Sequence, residues 1–382
     1  CLTTFAADPS KDSLLAAWED AQRADRNTVV FEKVGEGLYR FRTERFPFDG
    51  ELRVNGVYID DSAASFEEGA VFGVVEVELL GVDQARIALL EDGGRYLTII
   101  AEHFDSGTFP LKLIPRFAGL GLFGVHVDGY GCSQRNHTTY GLICQELGRC
   151  DSGLRAMFSV QNSLVMFPIY QFGSEQQREK WLPELAAGNS IGCFGLSEPG
   201  FGSNPAGMET RAQKKKGRFI LNGKKMWITN GTMAKVAIIW AKYNEEIRGF
   251  LVETDTPGFR ASPIKRKFSY RTSPTALIDL KDCAIEEDNM LPNARGLRSI
   301  FECLNFARYG VACGAVGSAV SCYQAARAFA LEREVFDQPI AAYQLVQNQL
   351  VRILVEITKA QLVNYHLGRM LDEHKARPAQ IS

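Results

Sequence analysis

The chain has 382 residues, 46% hydrophobic and 23% charged, with a formal net charge of −2, the balance of a globular protein long enough for two or three domains. No basic stripe suggests a nucleic-acid partner, and no apolar run reaches the roughly 18 residues of a transmembrane helix. Nine cysteines without a CxxC pair and five histidines without ligand spacing argue against a disulfide framework or a metal site and for buried, reduced thiols.

The first residue is Cys1, as in a processed protein or a fragment, and no signal or transit peptide is legible. Residues 1–82 form an N-terminal extension. Its β-like runs at 28–31, 38–41, 52–59 and 71–80, with Asn55-Gly56 as a tight turn, predict a small β-rich module. Residues 83–190 read as helical, with helices at 111–122, 138–148 and 174–187. The last opens on a capping box, Ser174 followed by Gln177.

Residues 191–290 return to strands. Asn222-Gly223, between two strand-like runs in 218–229, predicts a hairpin, and the runs at 236–240, 249–252 and 275–278 extend the sheet. Residues 291–382 predict two long helices, 297–332 and 343–371. In the second, Leu350, Leu354, Ile357, Leu362 and Leu367 make the stripe of a packed bundle helix. The fold class is therefore α+β.

The loop Leu196-Ser197-Glu198-Pro199-Gly200-Phe201-Gly202-Ser203-Asn204 follows an apolar strand and offers backbone N–H groups and hydroxyls to the polar edge of a planar ligand. Read alone, it is equally a surface turn. Alternation puts Met226 and Ile228 on one face of their strand and Trp227 and Thr229 on the other, an aromatic wall beside a hydroxyl. An ordinary strand with a half-buried tryptophan has the same pattern.

Asp151-Ser152-Gly153-Leu154-Arg155, Ser159-Val160-Gln161, Phe194-Gly195-Leu196-Ser197-Glu198-Pro199, Trp227-Ile228-Thr229 and Leu304-Asn305-Phe306-Ala307-Arg308-Tyr309-Gly310 occur in this order. From about Phe109 onward the chain resembles the acyl-CoA dehydrogenase family, and most of all its glutaryl-CoA dehydrogenase branch. The resemblance implies a helical domain, a central β-barrel and a C-terminal helical bundle, with FAD between barrel and bundle. It also implies an acyl-CoA substrate, an electron-transferring flavoprotein as acceptor, a homo-oligomer or larger assembly, and the mitochondrial matrix.

By matching motif, Leu196, Ser197, Trp227 and Thr229 lie along the flavin, and Ser203 belongs to the thioester pocket. Arg333 and Gln344 reach the FAD diphosphate or adenosine of a neighbouring subunit. Arg155 matches the arginine that meets the distal carboxylate of a glutaryl group, whereas a glutamate and a serine expected beside it are Gly148 and Ala156. The catalytic glutamate of most branches is expected beyond Ser382, in the half of the bundle that this sequence does not contain. The alternative position on the first bundle helix is Ala307, which cannot accept a proton. Asn204 and Asp337 also depart from the family pattern. A catalytically silent, dehydrogenase-like subunit of a larger assembly is the competing expectation.

Overall fold

A computed structural model describes four strands between residues 29 and 79 and the whole of 100–381. The chain divides into two compact units, Cys1–Asp83 and Gln84–Ser382. In the first, β1 (Val29–Gly35), β2 (Leu38–Thr43), β3 (Asp49–Tyr58) and β4 (Val74–Leu79) form an antiparallel sheet in chain order. Asn55-Gly56 is not the predicted turn. It lies inside β3, where the register against β4 slips between Val54 and Val57, so the dipeptide marks a bulge. The predicted start of the helical region at residue 83 falls outside the described residues.

In the second unit, α1 (Leu113–Gly119) is shorter than predicted. In α2 (His137–Cys150) the side chain of Asn136 accepts a hydrogen bond from Thr139 N, and in α3 (Ser152–Ser159) that of Asp151 accepts from Gly153 N and Leu154 N. These caps satisfy N–H groups that the helices leave unpaired. A π-helical stretch, Val160–Met166, joins α3 to α4 (Phe167–Phe172). It turns two buried amides to opposite neighbours. Asn162 accepts from Gly124 N and Val125 N, while Gln161 accepts from Gly192 N and donates to Leu185 O and Ser190 O. The predicted capping box opens α5 (Glu175–Ala186), with both reciprocal bonds present.

The second unit's sheet has eight strands: β5 (Gly192–Gly195), β6 (Arg211–Lys215), β7 (Arg218–Ile228), β8 (Val236–Tyr243), β9 (Glu246–Glu253), β10 (Phe259–Pro263), β11 (Ala276–Glu286) and β12 (Met290–Arg295). One arm runs β10-β11-β7-β6 and the other β8-β9-β12, with β5 parallel to β8. The arms meet at the single pair Arg211–Lys242. Leu221 and Cys283 of one arm share a core with Ile239 and Phe250 of the other.

The predicted hairpin at Asn222-Gly223 is a correction: both residues lie inside β7. The turn comes earlier, at Lys216 and Gly217, both with positive φ. A Cβ on Gly223 would come within 2.4 Å of Thr210 Oγ1, so close strand approach, and not a turn, requires glycine there.

The two long predicted helices are α6 (Gly296–Glu332) and α7 (Gln344–Asp372). α6 packs along α2, where a Cβ on Gly148 would meet Gly314 O at 2.4 Å. Of the predicted stripe on α7 only Ile357 is buried, and Phe329, Phe336, Leu345 and Val363 are exposed.

Candidate active site

The 196–204 loop and the end of β7 are joined by a buried ion pair. The Lys225 side chain has no exposed surface, and Nζ donates to Glu198 Oε1 at 2.8 Å and to Leu196 O at 3.1 Å. Glu198 also accepts from Glu209 N at 2.6 Å and Thr210 N at 3.0 Å, and Met226 N donates to Ser197 O. Burial pushes the Lys225 ammonium down to about 8 despite the carboxylate beside it. Burial alone would raise Glu198, but Lys225 and the hydrogen bonds outweigh it and hold this carboxyl below its ordinary value.

The next residues break the strand's alternation. Between Lys225, opposite Ile278, and Ile228, opposite Ala276, β7 spends one more residue than β11, so a bulge sits at Met226-Trp227. Trp227 takes φ +63°, a conformation unfavourable for a bulky side chain. The bulge re-aims its side chain: Lys225 stays in the core while the Trp227 indole is 58% exposed. Thr229 and Ser197 are half-buried and Ser203 is exposed, and their hydroxyls make no hydrogen bond among the described residues; Leu196 is buried. An open indole face beside free hydroxyls fits a flat heteroaromatic group that stacks and accepts hydrogen bonds at its edge.

The other predicted residues stand elsewhere. Arg333 ends α6 and Gln344 begins α7, both exposed, on either side of a short hairpin whose tip is Phe336 and Asp337, each with positive φ. Asp337 points to solvent. Ala307 is half-buried on α6, and Glu302 is paired with Arg298 at 3.1 Å.

Arg155 is only 5% exposed and makes no ion pair among the described residues. Its side chain donates from Nη2 to the Tyr270 hydroxyl at 2.7 Å. Nearby acids are engaged elsewhere: Asp151 caps α3 and accepts from Thr272 Oγ1, and Glu146 holds Arg149. A buried guanidinium without a counter-charge is costly, and a bound anion removes that cost. Gly148 and Ala156 leave the site without the expected polar neighbours because Gly148 is taken up by the α2–α6 contact. Sequence reasoning did not single out Lys225 or Tyr270. Lys225 sits beside the quoted Trp227 motif, but a lysine reads as a solvated charge until its partner is known.

A helical domain, a folded two-arm sheet and paired long helices, with an exposed indole at the sheet's end, are the parts expected of a flavoenzyme of the acyl-thioester-oxidising class. Family models match all three parts: acyl-CoA dehydrogenase N-terminal domain at residues 95–189, middle domain at 193–283 and C-terminal domain at 294–382. Probable acyl-CoA dehydrogenase YngJ of Bacillus subtilis is 34% identical over 270 residues, 68% of this chain and 71% of that protein. The human short-chain specific mitochondrial acyl-CoA dehydrogenase is 31% identical over 274 residues, 70% of this chain and 66% of that protein. The crystal structure of a glutaryl-CoA dehydrogenase from Mycobacterium smegmatis in complex with FADH2 shares 47% identity at a TM-score of 0.75, covering 78% of this chain and 79% of that one. The chain belongs to the acyl-CoA dehydrogenase family, close to glutaryl-CoA dehydrogenase. Membership brings with it FAD as cofactor and α,β-dehydrogenation of an acyl-CoA thioester as reaction.

Proposed function

We propose that this chain carries the flavin face and the acyl-end pocket of an FAD-dependent acyl-CoA dehydrogenase whose substrate ends in a carboxylate. The observation that carries the substrate class is Arg155, a buried cation with no ion-pair partner among the described residues. FAD supplies the hydride acceptor for the substrate Cβ. Trp227 and Thr229 flank the ring, and Ser197 and Ser203 orient it and the thioester. The Lys225–Glu198 pair keeps the loop and the bulge in register, so these groups are in place before substrate arrives. Arg155 fixes the far end of the acyl group and so sets which carbons lie at the ring. Arg333 and Gln344 serve the FAD of a neighbouring subunit in a homo-oligomer.

Removing the Cα proton needs a carboxylate. Ala307 cannot supply it and Glu302 is engaged with Arg298. None of the described residues is assigned as that base, and the match covers 66% to 71% of these relatives' own length. The silent-subunit alternative is less well supported, since three family domains match in order. An electron-transferring flavoprotein is the proposed acceptor. A mitochondrial matrix location rests on the mitochondrial relatives, although the Bacillus homologue shows that the family is not confined to that compartment.

The test is anaerobic titration of the purified full-length flavoprotein with glutaryl-CoA. Bleaching of the flavin band supports the assignment. A protein that binds FAD but is bleached by no acyl-CoA refutes it.

A further inference from the structure

The 265–273 segment between β10 and β11 is fastened more firmly than a surface connection needs to be. Lys267 Nζ donates to Tyr270 O, Ser273 O and Thr275 Oγ1 at 2.5–3.0 Å, and Ser273 N donates to Tyr270 O. Arg271 donates to Phe104 O and Asp105 O, at 2.8 and 2.7 Å. Thr272 Oγ1 donates to Asp151 Oδ1, the carboxylate that caps the helix of Arg155. Tyr270 itself takes φ +52°, uncommon for an aromatic residue, and it is held there from both sides. The result is a fixed phenol, 40% exposed, with its hydroxyl 2.7 Å from Arg155 Nη2 and its ring 5.8 Å from the guanidinium carbon.

The chemistry of this pair is asymmetric. The Tyr270 oxygen accepts one of the five guanidinium hydrogens, which orients the fork and leaves donors free. The phenol keeps its own hydrogen. A carboxylate approaching Arg155 therefore meets cationic N–H donors and one neutral O–H donor, fixed 2.7 Å apart at their heavy atoms. A methyl end meets the same groups and leaves them unpaired, which is the arrangement that discriminates most strongly.

We propose that Tyr270 is a specificity-determining residue, supplying at Arg155 the polar contact that Gly148 and Ala156 cannot, and so selecting acyl-CoA substrates that end in a carboxylate. The inference rests on Arg155 as the acyl-end anchor. It goes further in assigning the second donor to a loop of the sheet domain and not to the helices.

The test uses the full-length holoenzyme and two probes of equal chain length, glutaryl-CoA and pentanoyl-CoA, with wild type, Tyr270→Phe and Arg155→Gln. Loss of a hydrogen bond to a charged group predicts that Tyr270→Phe raises KM for glutaryl-CoA by about 10- to 100-fold. It leaves kcat within about twofold, and the KM rise for pentanoyl-CoA is at least about fivefold smaller. A general structural defect would move both substrates together. Tyr270→Gln, which keeps an N–H donor, recovers part of the loss and guards against a folding failure of the Phe variant.

If wild type prefers glutaryl-CoA and Arg155→Gln abolishes the preference while Tyr270→Phe retains it, the Tyr270 inference is overturned and the Arg155 reading stands. If wild type shows no preference, or Arg155→Gln keeps it, both fall.

Discussion

Replacing Lys225 by methionine tests the joint between the loop and the bulge. The substitution keeps much of the aliphatic volume but removes the cation paired with Glu198, whose side chain is 4% exposed. Glu198 then keeps two backbone N–H donors, from Glu209 and Thr210, and no counter-charge. Breaking a buried pair from one side costs about 3–5 kcal/mol, a large share of the ~5–15 kcal/mol that holds a typical domain folded. At ~2–4 °C per kcal/mol for a unit of this size, the melting temperature falls by about 6–20 °C. Glu198 can limit the loss by taking up a proton, so Glu198→Gln combined with Lys225→Met recovers most of it. Thermal unfolding followed by circular dichroism, with flavin fluorescence as a local probe, measures both effects. A Lys225→Met protein within about 1 kcal/mol of wild type would refute the role given to this pair.

The same lysine fixes the sign of a pH effect. Its folded value, about 8, lies below the ordinary lysine value. Between about 8 and 10.4 the unfolded chain carries the proton and the folded one does not, so stability rises with pH from this group, by up to about 1.4 kcal/mol per unit. Wild type therefore gains on Lys225→Met through that window. A gap that narrows there contradicts the assignment.

Gly148→Glu restores the family's side chain type but drives a Cβ to 2.4 Å from Gly314 O. The expected outcome is a loss of about 1–3 kcal/mol or more in thermal unfolding, with no gain in glutaryl-CoA affinity. Asp372 is bonded by His137 through its ring Nδ1 and its backbone N and by Thr138 through N and Oγ1, pinning the end of α7 to the start of α2; burial raises its pKa, but the His137 side chain and the other bonds outweigh that and lower it overall. Asp372→Asn should cost about 1–2 kcal/mol at pH 7, a difference that disappears in acid as pH falls through the depressed pKa of Asp372. Trp227→Gly relieves the positive φ but gives up the buried part of the indole and frees the unfolded chain, so unfolding temperature falls modestly while flavin content on purification drops sharply. Unchanged flavin content would remove the indole from the cofactor site.

The sequence shows its helices well because they follow local rules. Ser174 and Gln177 cap α5 as their spacing demands, and the periodic residues of 297–332 and 343–371 become α6 and α7 within a residue or two. The errors occur where a local signal meets a tertiary requirement. Asn222-Gly223 has the composition of a turn, but Thr210 needs the space beside Gly223, and the chain reverses at Lys216-Gly217 instead. Strict alternation would place Lys225 on the face of Trp227, and the bulge separates them. Lys225 depends on a carboxylate 27 residues earlier and Arg155 on a hydroxyl 115 residues later, separations at which no periodicity carries information.

These two long-range pairs also explain why the matched motifs alone left the substrate open. The proposed flavin side lies on the sheet: β7, its bulge and the loop after β5, joined through Lys225. The proposed acyl side lies where α3 meets the 265–273 loop, at Arg155 and Tyr270. The family motifs report mainly the first, since Trp227, Thr229 and the 196–204 loop are adjacent in sequence to what they contact. On the second side α3 contributes Arg155, while the α2–α6 contact leaves no room for a side chain at Gly148. The sheet domain supplies a polar group there instead, since Tyr270 of the 265–273 loop reaches Arg155.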